Sequence, residues 1–115
     1  MVDLTGKYLM PGLINLHVHL PAGGKPQNKP MNTNRLSKIA LSSGLSRALV
    51  LRMCHAYAMQ GLLSGVTTVR AVGGLDNLDT RLRDRIHAGK LDGPRILAAN
   101  YAIGVPHGHM VGSVT

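Results

Sequence analysis

The order of apolar and polar positions divides the chain into alternating extended and helical stretches, punctuated by glycine and proline. Leu13–Leu20 is an apolar run of strand length with both odd and even positions largely apolar. That is the pattern of a strand covered on both faces in a parallel sheet. Helical composition runs from Arg35 to Ser64, with a break expected near Ser43-Gly44, and Asn32, Thr33 and Asn34 can each cap its start. The second part, Leu45–Ser64, is apolar on most faces and is expected to form a well-buried helix, with Gly65 as its left-handed cap. Val66–Val72 is short and β-branched, a second strand ended by Gly73-Gly74. Leu75, Leu78, Leu82 and Ile86 recur at three- and four-residue spacing and mark an amphipathic helix, with Arg81, Arg83, Asp84 and Arg85 mostly outward and Gly89 as its stop. Arg95–Ala99 reads as a third strand. Strand, helix, strand, helix, strand is the order of a parallel α/β fold.

The segments between are polar or turn-forming. Asp3–Met10 reads as two short extended pieces around a Thr5-Gly6 turn, closed by Pro11-Gly12; Pro21–Asn34 and Asn100–Thr115 read as loops. No helix follows the third strand, whereas a complete eight-stranded α/β barrel takes about 250 residues. The 115 residues are therefore expected to be a piece of something larger.

Composition narrows the class. With 44% hydrophobic and 16% charged residues, the chain is not of disordered type. The longest apolar stretch, Ala48–Leu63, is interrupted by Arg52, His55 and Gln60 and falls short of the ~20 apolar residues of a spanning helix. No secretory signal is visible, and a single cysteine, Cys54, fits a reducing compartment; a cytoplasmic location is expected. The absence of Glu produces most of the +8 formal charge. The bases are scattered, and the one cluster, Arg81, Arg83 and Arg85, has Asp79 and Asp84 among it. This argues against nucleic acid as the main partner.

The sharpest chemical feature is His17-Val18-His19. Side chains at i and i+2 of a strand share a face, with Cα atoms ~7 Å apart. Two imidazoles so placed can turn their nitrogens toward one metal at ~2.0–2.1 Å while Val18 packs on the other side. Neutral imidazole suits Zn²⁺, Mn²⁺ or Co²⁺. The competing reading is that the histidines merely hydrogen-bond within a sheet.

Asp3 through His19 closely resembles the approach to the catalytic barrel of the amidohydrolase superfamily, where a Pro-Gly turn leaves a small β-sandwich and starts a strand ending in His-x-His. Ser64–Arg70 (SGVTTVR) is similar to that family's second strand, and Gly93–Ile96 (GPRI) to its third. The series resembles the branch containing imidazolonepropionase-like enzymes and metal-dependent prolidases. The resemblance implies residues 1–11 as the end of a β-sandwich and 12–115 as the first three strands or so of a (β/α)8 barrel. It implies a hydrolase that cleaves a C–N bond in a small amide, cyclic amide or dipeptide through metal-activated water. His17 and His19 match the first two ligands of one or two divalent ions, zinc foremost. The other ligands, a lysine, two histidines and an aspartate that is also the general base, sit on later strands in the family. This chain has no position for them, and Lys90 is wrongly placed to substitute. The isolated chain is therefore expected to be inactive.

Two positions depart from the pattern: Asn15 and Ala71 stand where the family often has Asp. Neither is a ligand, so the departures bear on subgroup and on hydrogen bonds around the site. In Pro106-His107-Gly108-His109, Gly108-His109 resembles part of a Gly-Gly-His element of that branch, implying substrate contact by His109; His107 reads as a solvated loop residue. His55, His87 and Cys54 read as structural. Two readings of another class remain: a small basic module binding nucleic acid or an anionic partner, and copies that assemble to complete a barrel.

Overall fold

The structure, a computed structural model, describes residues 1–24, 33–103 and 105. Three parallel strands, β1 (Leu13–Val18), β2 (Val66–Ala71) and β3 (Arg95–Leu97), form a sheet in the order β1-β2-β3. Helices α1 (Thr33–Ala40) and α2 (Gly44–Leu63) connect the first pair of strands, and α3 (Leu78–His87) connects the second. The expected element order is thus present. Residues 1–12 contain only the turn at Thr5-Gly6, where the Lys7 amide bonds the Leu4 carbonyl at 2.9 Å.

Local chemistry explains the boundaries. Ser43 caps α2: its hydroxyl accepts from the Ser46 amide and the Ser46 hydroxyl accepts from the Ser43 amide, which satisfies two otherwise orphaned donors. At the other end Gly65 takes φ +97°, a conformation that costs a glycine little. Gly89, at φ +67°, ends α3 in the same way.

The core lies on one side of the sheet. Leu51, Cys54 and Ala58 make the buried stripe of α2 at helical spacing and meet Val69 and Ala71 of β2; Leu78 and Leu82 of α3 and Ile96 of β3 complete the cluster. Leu78 and Leu82 are fully buried, and each such side chain contributes about 1.5–3 kcal/mol.

Two expectations are corrected. β1 is not covered on both faces: Leu13, Ile14 and Leu16 are each at least half exposed. It lies at the edge of the sheet, and no described element packs on the sheet's face opposite the helices. Nor is α2 buried all round, since Leu45, Leu49 and Leu63 are exposed. Its buried stripe faces β2, and Leu45, Leu49 and Leu63 lie outside the cover that α1 and α3 give it. Of the three caps expected for α1, Asn32 and the Thr33 and Asn34 side chains lie outside the described residues.

Candidate functional site

The carboxyl ends of the three strands carry the polar chemistry. His17 is the next-to-last residue of β1, and His19 follows the strand directly. Their rings meet edge to face, with centroids 5.3 Å apart and planes at 74°. Val18 between them packs against the core. His17 is exposed and His19 half-buried. His19 donates its Nδ1–H to the carbonyl oxygen of Gly73, just past β2, at 2.8 Å. That bond fixes the ring and leaves Nε2 with the free lone pair, the usual way in which a protein prepares an imidazole as a ligand.

A local irregularity in β1 sets this arrangement. Asn15 pairs with Val69 and Val18 with Ala71, so residues 16 and 17 of β1 together oppose the single residue Arg70 of β2. This is a β-bulge. Its backbone groups are satisfied by side chains: Arg70 donates from Nε to the Leu16 carbonyl at 2.7 Å, and the His17 amide donates to Asn15 Oδ1 at 3.1 Å.

Beside His19 lies an electrostatic anomaly that sequence reasoning missed. Asp79, in the first turn of α3, is 1% exposed, and neither carboxylate oxygen has a hydrogen-bond partner among the described residues. A Cβ on Gly74 would fall 2.6 Å from Asp79 Oδ2, so only a glycine lets the backbone pass this closely. Burial pushes the Asp79 carboxyl above its ordinary range, while the Asn100 backbone amide and the His19 imidazole pull it partly back. The signal available in the sequence was the helical register: position 79 adjoins Leu78 and Leu82.

Asn100 ties the strand ends together. It adopts φ +63°, its carbonyl accepts from the Gly74 amide at 2.8 Å, and its side-chain oxygen accepts from the Thr80 amide and hydroxyl. Asp76, at φ +52°, is held by the Tyr101 hydroxyl at 2.8 Å and pairs with Arg47 at 3.5 Å. An open groove of about 470 Å³ runs between the ends of β2 and β3, bordered by Arg70, Val72, Ala98 and Tyr101.

The other sequence candidates fall away from the strand ends or beyond the described residues. His55 donates from Nε2 to the Asp92 carbonyl at 2.8 Å, a structural tie between α2 and the approach to β3. Cys54 is buried, and burial, with the Asp79 charge second, pushes its thiol up to about 12. Lys90 is exposed in the turn after α3. His107 and His109 lie outside the described residues. Among the described residues no group of three or more His, Cys, Asp or Glu side chains gathers as a metal cluster, and no helix is long and apolar enough to cross a membrane.

A parallel α/β sheet with its polar groups gathered at the carboxyl ends of the strands is the arrangement in which α/β enzymes hold their ligands. The sequence model of the amidohydrolase family matches residues 8–112, and the chain belongs to that family. Among solved structures it is similar to a prolidase-like protein from Bifidobacterium longum, with 31% identity and a TM-score of 0.62, over 91% of this chain and 19% of the other. An amidohydrolase is 32% identical with a TM-score of 0.58, over 83% and 19%. A Xaa-Pro dipeptidase solved with methionine in its active site is 31% identical with a TM-score of 0.51, over 82% and 20%. No curated protein matches the chain. The chain spans about a fifth of the length of these structures.

Proposed function

We infer that the chain supplies the first part of the metal site of a hydrolase that cleaves a C–N bond in a small amide, cyclic amide or dipeptide. The observation that carries this reading is the His17–His19 pair: two imidazoles in contact, one with its Nδ1–H committed to a backbone carbonyl and its Nε2 left free. Such a donor set fits a divalent ion of the zinc type. His17 and His19 would hold it. Bound there, a divalent ion supplies Lewis acidity that polarises a carbonyl and makes water a nucleophile near neutral pH.

Gly73 orients His19 through its carbonyl, and Asn15 and Arg70 hold the two edges of the peptide that joins Leu16 to His17. The groove bordered by Arg70 and Tyr101 opens from the same end of the sheet and offers room for a small substrate. Residues 12–115 are read as the first three strands of a (β/α)8 barrel and residues 1–11 as the end of a β-sandwich. The uncovered face of β1 supports this, because a barrel's interior layers would bury Ile14 and Leu16. His109 is read as a substrate contact, zinc as the resident ion, and the cytoplasm as the compartment.

Catalytic zinc sites use three protein ligands and a water. Two histidines therefore bind an ion without completing a catalytic centre. Calorimetric titration of the chain with Zn²⁺ is expected to show saturable binding that His17→Ala and His19→Ala each abolish, with no turnover of dipeptides or cyclic amides. Binding unaffected by both substitutions overturns the site, and turnover by the chain alone overturns the missing-ligand argument.

A further inference from the structure

We propose that Arg70 is a positioning residue that holds the bulge in β1 and thereby turns His17 out of the helix-facing side of the sheet. This rests on the metal-site reading given above for the importance of His17, but the structural part stands on its own geometry.

Side-chain parity along β1 sets where His17 points. Along a strand successive side chains alternate, so a shift of one residue sends a side chain to the opposite face. Val69 and Ala71 of β2 are two residues apart and both buried under the helices. Their partners in β1, Asn15 and Val18, are three residues apart. Residues paired across neighbouring strands share a face, so Asn15 and Val18 stand on the side of Val69 and Ala71. With unbroken alternation from Asn15, position 17 would face α2 and Val18 would face away. The extra residue reverses this: Val18 packs on the core, and His17 stands exposed with its ring against that of His19.

A bulge leaves backbone groups out of the ladder, and each needs another partner. The residue opposite the bulge supplies one. Arg70 reaches back across its own strand pairing to donate from Nε to the Leu16 carbonyl at 2.7 Å. The guanidinium is a charged donor of fixed geometry, so this bond is stronger than one between neutral groups. Asn15 holds the other side of the bulge by accepting from the His17 amide. The two side chains thus clamp the peptide between Leu16 and His17. A straight β1 would satisfy the same backbone groups through the ladder, with His17 turned toward α2, and Arg70 weights the balance against it.

The test uses the isotopically labelled chain with Arg70→Ala, Arg70→Met, which keeps an aliphatic stem, and Arg70→Lys, which restores a cationic donor. Two quantities are read: the nuclear Overhauser contact between Val18 and Ala71, which marks the bulged register, and the affinity for Zn²⁺. Arg70→Ala and Arg70→Met are expected to lose the Val18–Ala71 contact and to bind Zn²⁺ about 10–100-fold more weakly, the usual cost of losing a group that orients a ligand. Arg70→Lys is expected to restore both. Retention of the contact in Arg70→Met overturns the proposal, and so does loss of the contact with unchanged zinc affinity. A parent chain that binds no zinc overturns the metal-site reading instead; the Val18–Ala71 contact in the variants then decides the role of Arg70 by its loss or retention.

Discussion

Replacing Asp79 by asparagine should stabilise the chain at neutral pH. The side chain is 1% exposed and neither oxygen makes a hydrogen bond among the described residues, so the Asn100 amide and the His19 imidazole offset only part of its desolvation cost. An orphaned buried polar group costs about 1–3 kcal/mol, and more when charged. The position in the first turn of α3 returns part of this, since a carboxylate near a helix N-terminus gains about 0.3–1 kcal/mol. Desolvation wins, which is why the folded-state carboxyl titrates above its ordinary 3.8. The sign follows by linkage. A raised folded pKa means that the folded chain binds more protons than the unfolded one, so stability falls as pH rises from the ordinary value through the folded one. Asparagine removes that titration. Asp79→Asn should gain on the order of 1 kcal/mol or more at pH 7, or about 4–8 °C in Tm for a domain of this size. The gain should shrink toward zero below pH 4. Urea unfolding of both chains across pH 3.5–7.5 measures it. A variant less stable than the parent at pH 7, or a difference independent of pH, refutes the reasoning.

Three further outcomes follow from the packing. Leu82→Ala empties a fully buried position and should cost about 2–5 kcal/mol in urea unfolding; a cost under 1 kcal/mol would mean that α3 is not packed as described. Gly74→Ala should destabilise the chain by forcing its methyl against the Asp79 carboxylate, and Asp79→Ala should relieve part of that cost, with a coupling of about 0.5–3 kcal/mol in a double-mutant cycle. Additive effects would show that the two residues do not touch. Cys54 should resist a disulfide exchange reagent at pH 8 in the folded chain and react promptly in denaturant, because its thiol is buried and raised to about 12.

Much of the fold was legible in the sequence because its boundaries are local. Ser43, Gly65 and Gly89 end or begin helices through their own backbone chemistry, and the Leu78–Leu82 spacing marks the buried side of α3. The burial of α2 was less legible: a helix apolar on most faces does not announce which stripe meets the sheet, and Leu45 and Leu49 turn out exposed. The double-faced apolar pattern of β1 describes a strand with cover on both sides, while the described residues supply cover on one.

The site divides in the same way. His-x-His is a local spacing and could be read directly. The Arg70 bond to Leu16 and the His19 bond to Gly73 each join residues 54 apart, and no pattern along the chain foretells a one-residue bulge. Asp79 reads in sequence as one more acid in an arginine-rich helix; its register beside Leu78 and Leu82 hints at burial, but the close pass of Gly74 over its carboxylate is a contact between elements that no local pattern carries.

In the proposed site, His17 and His19 together offer imidazole nitrogens to one divalent ion, with His19 using Nε2. Nitrogen-15 spectra of the histidine rings during a Zn²⁺ titration test this directly. Both rings are expected to respond with the same saturation curve, the resonance of His19 Nε2 to move to the metal-bound range, and Nδ1 to stay protonated against the Gly73 carbonyl. A response from one ring alone, or zinc on His19 Nδ1, would contradict it.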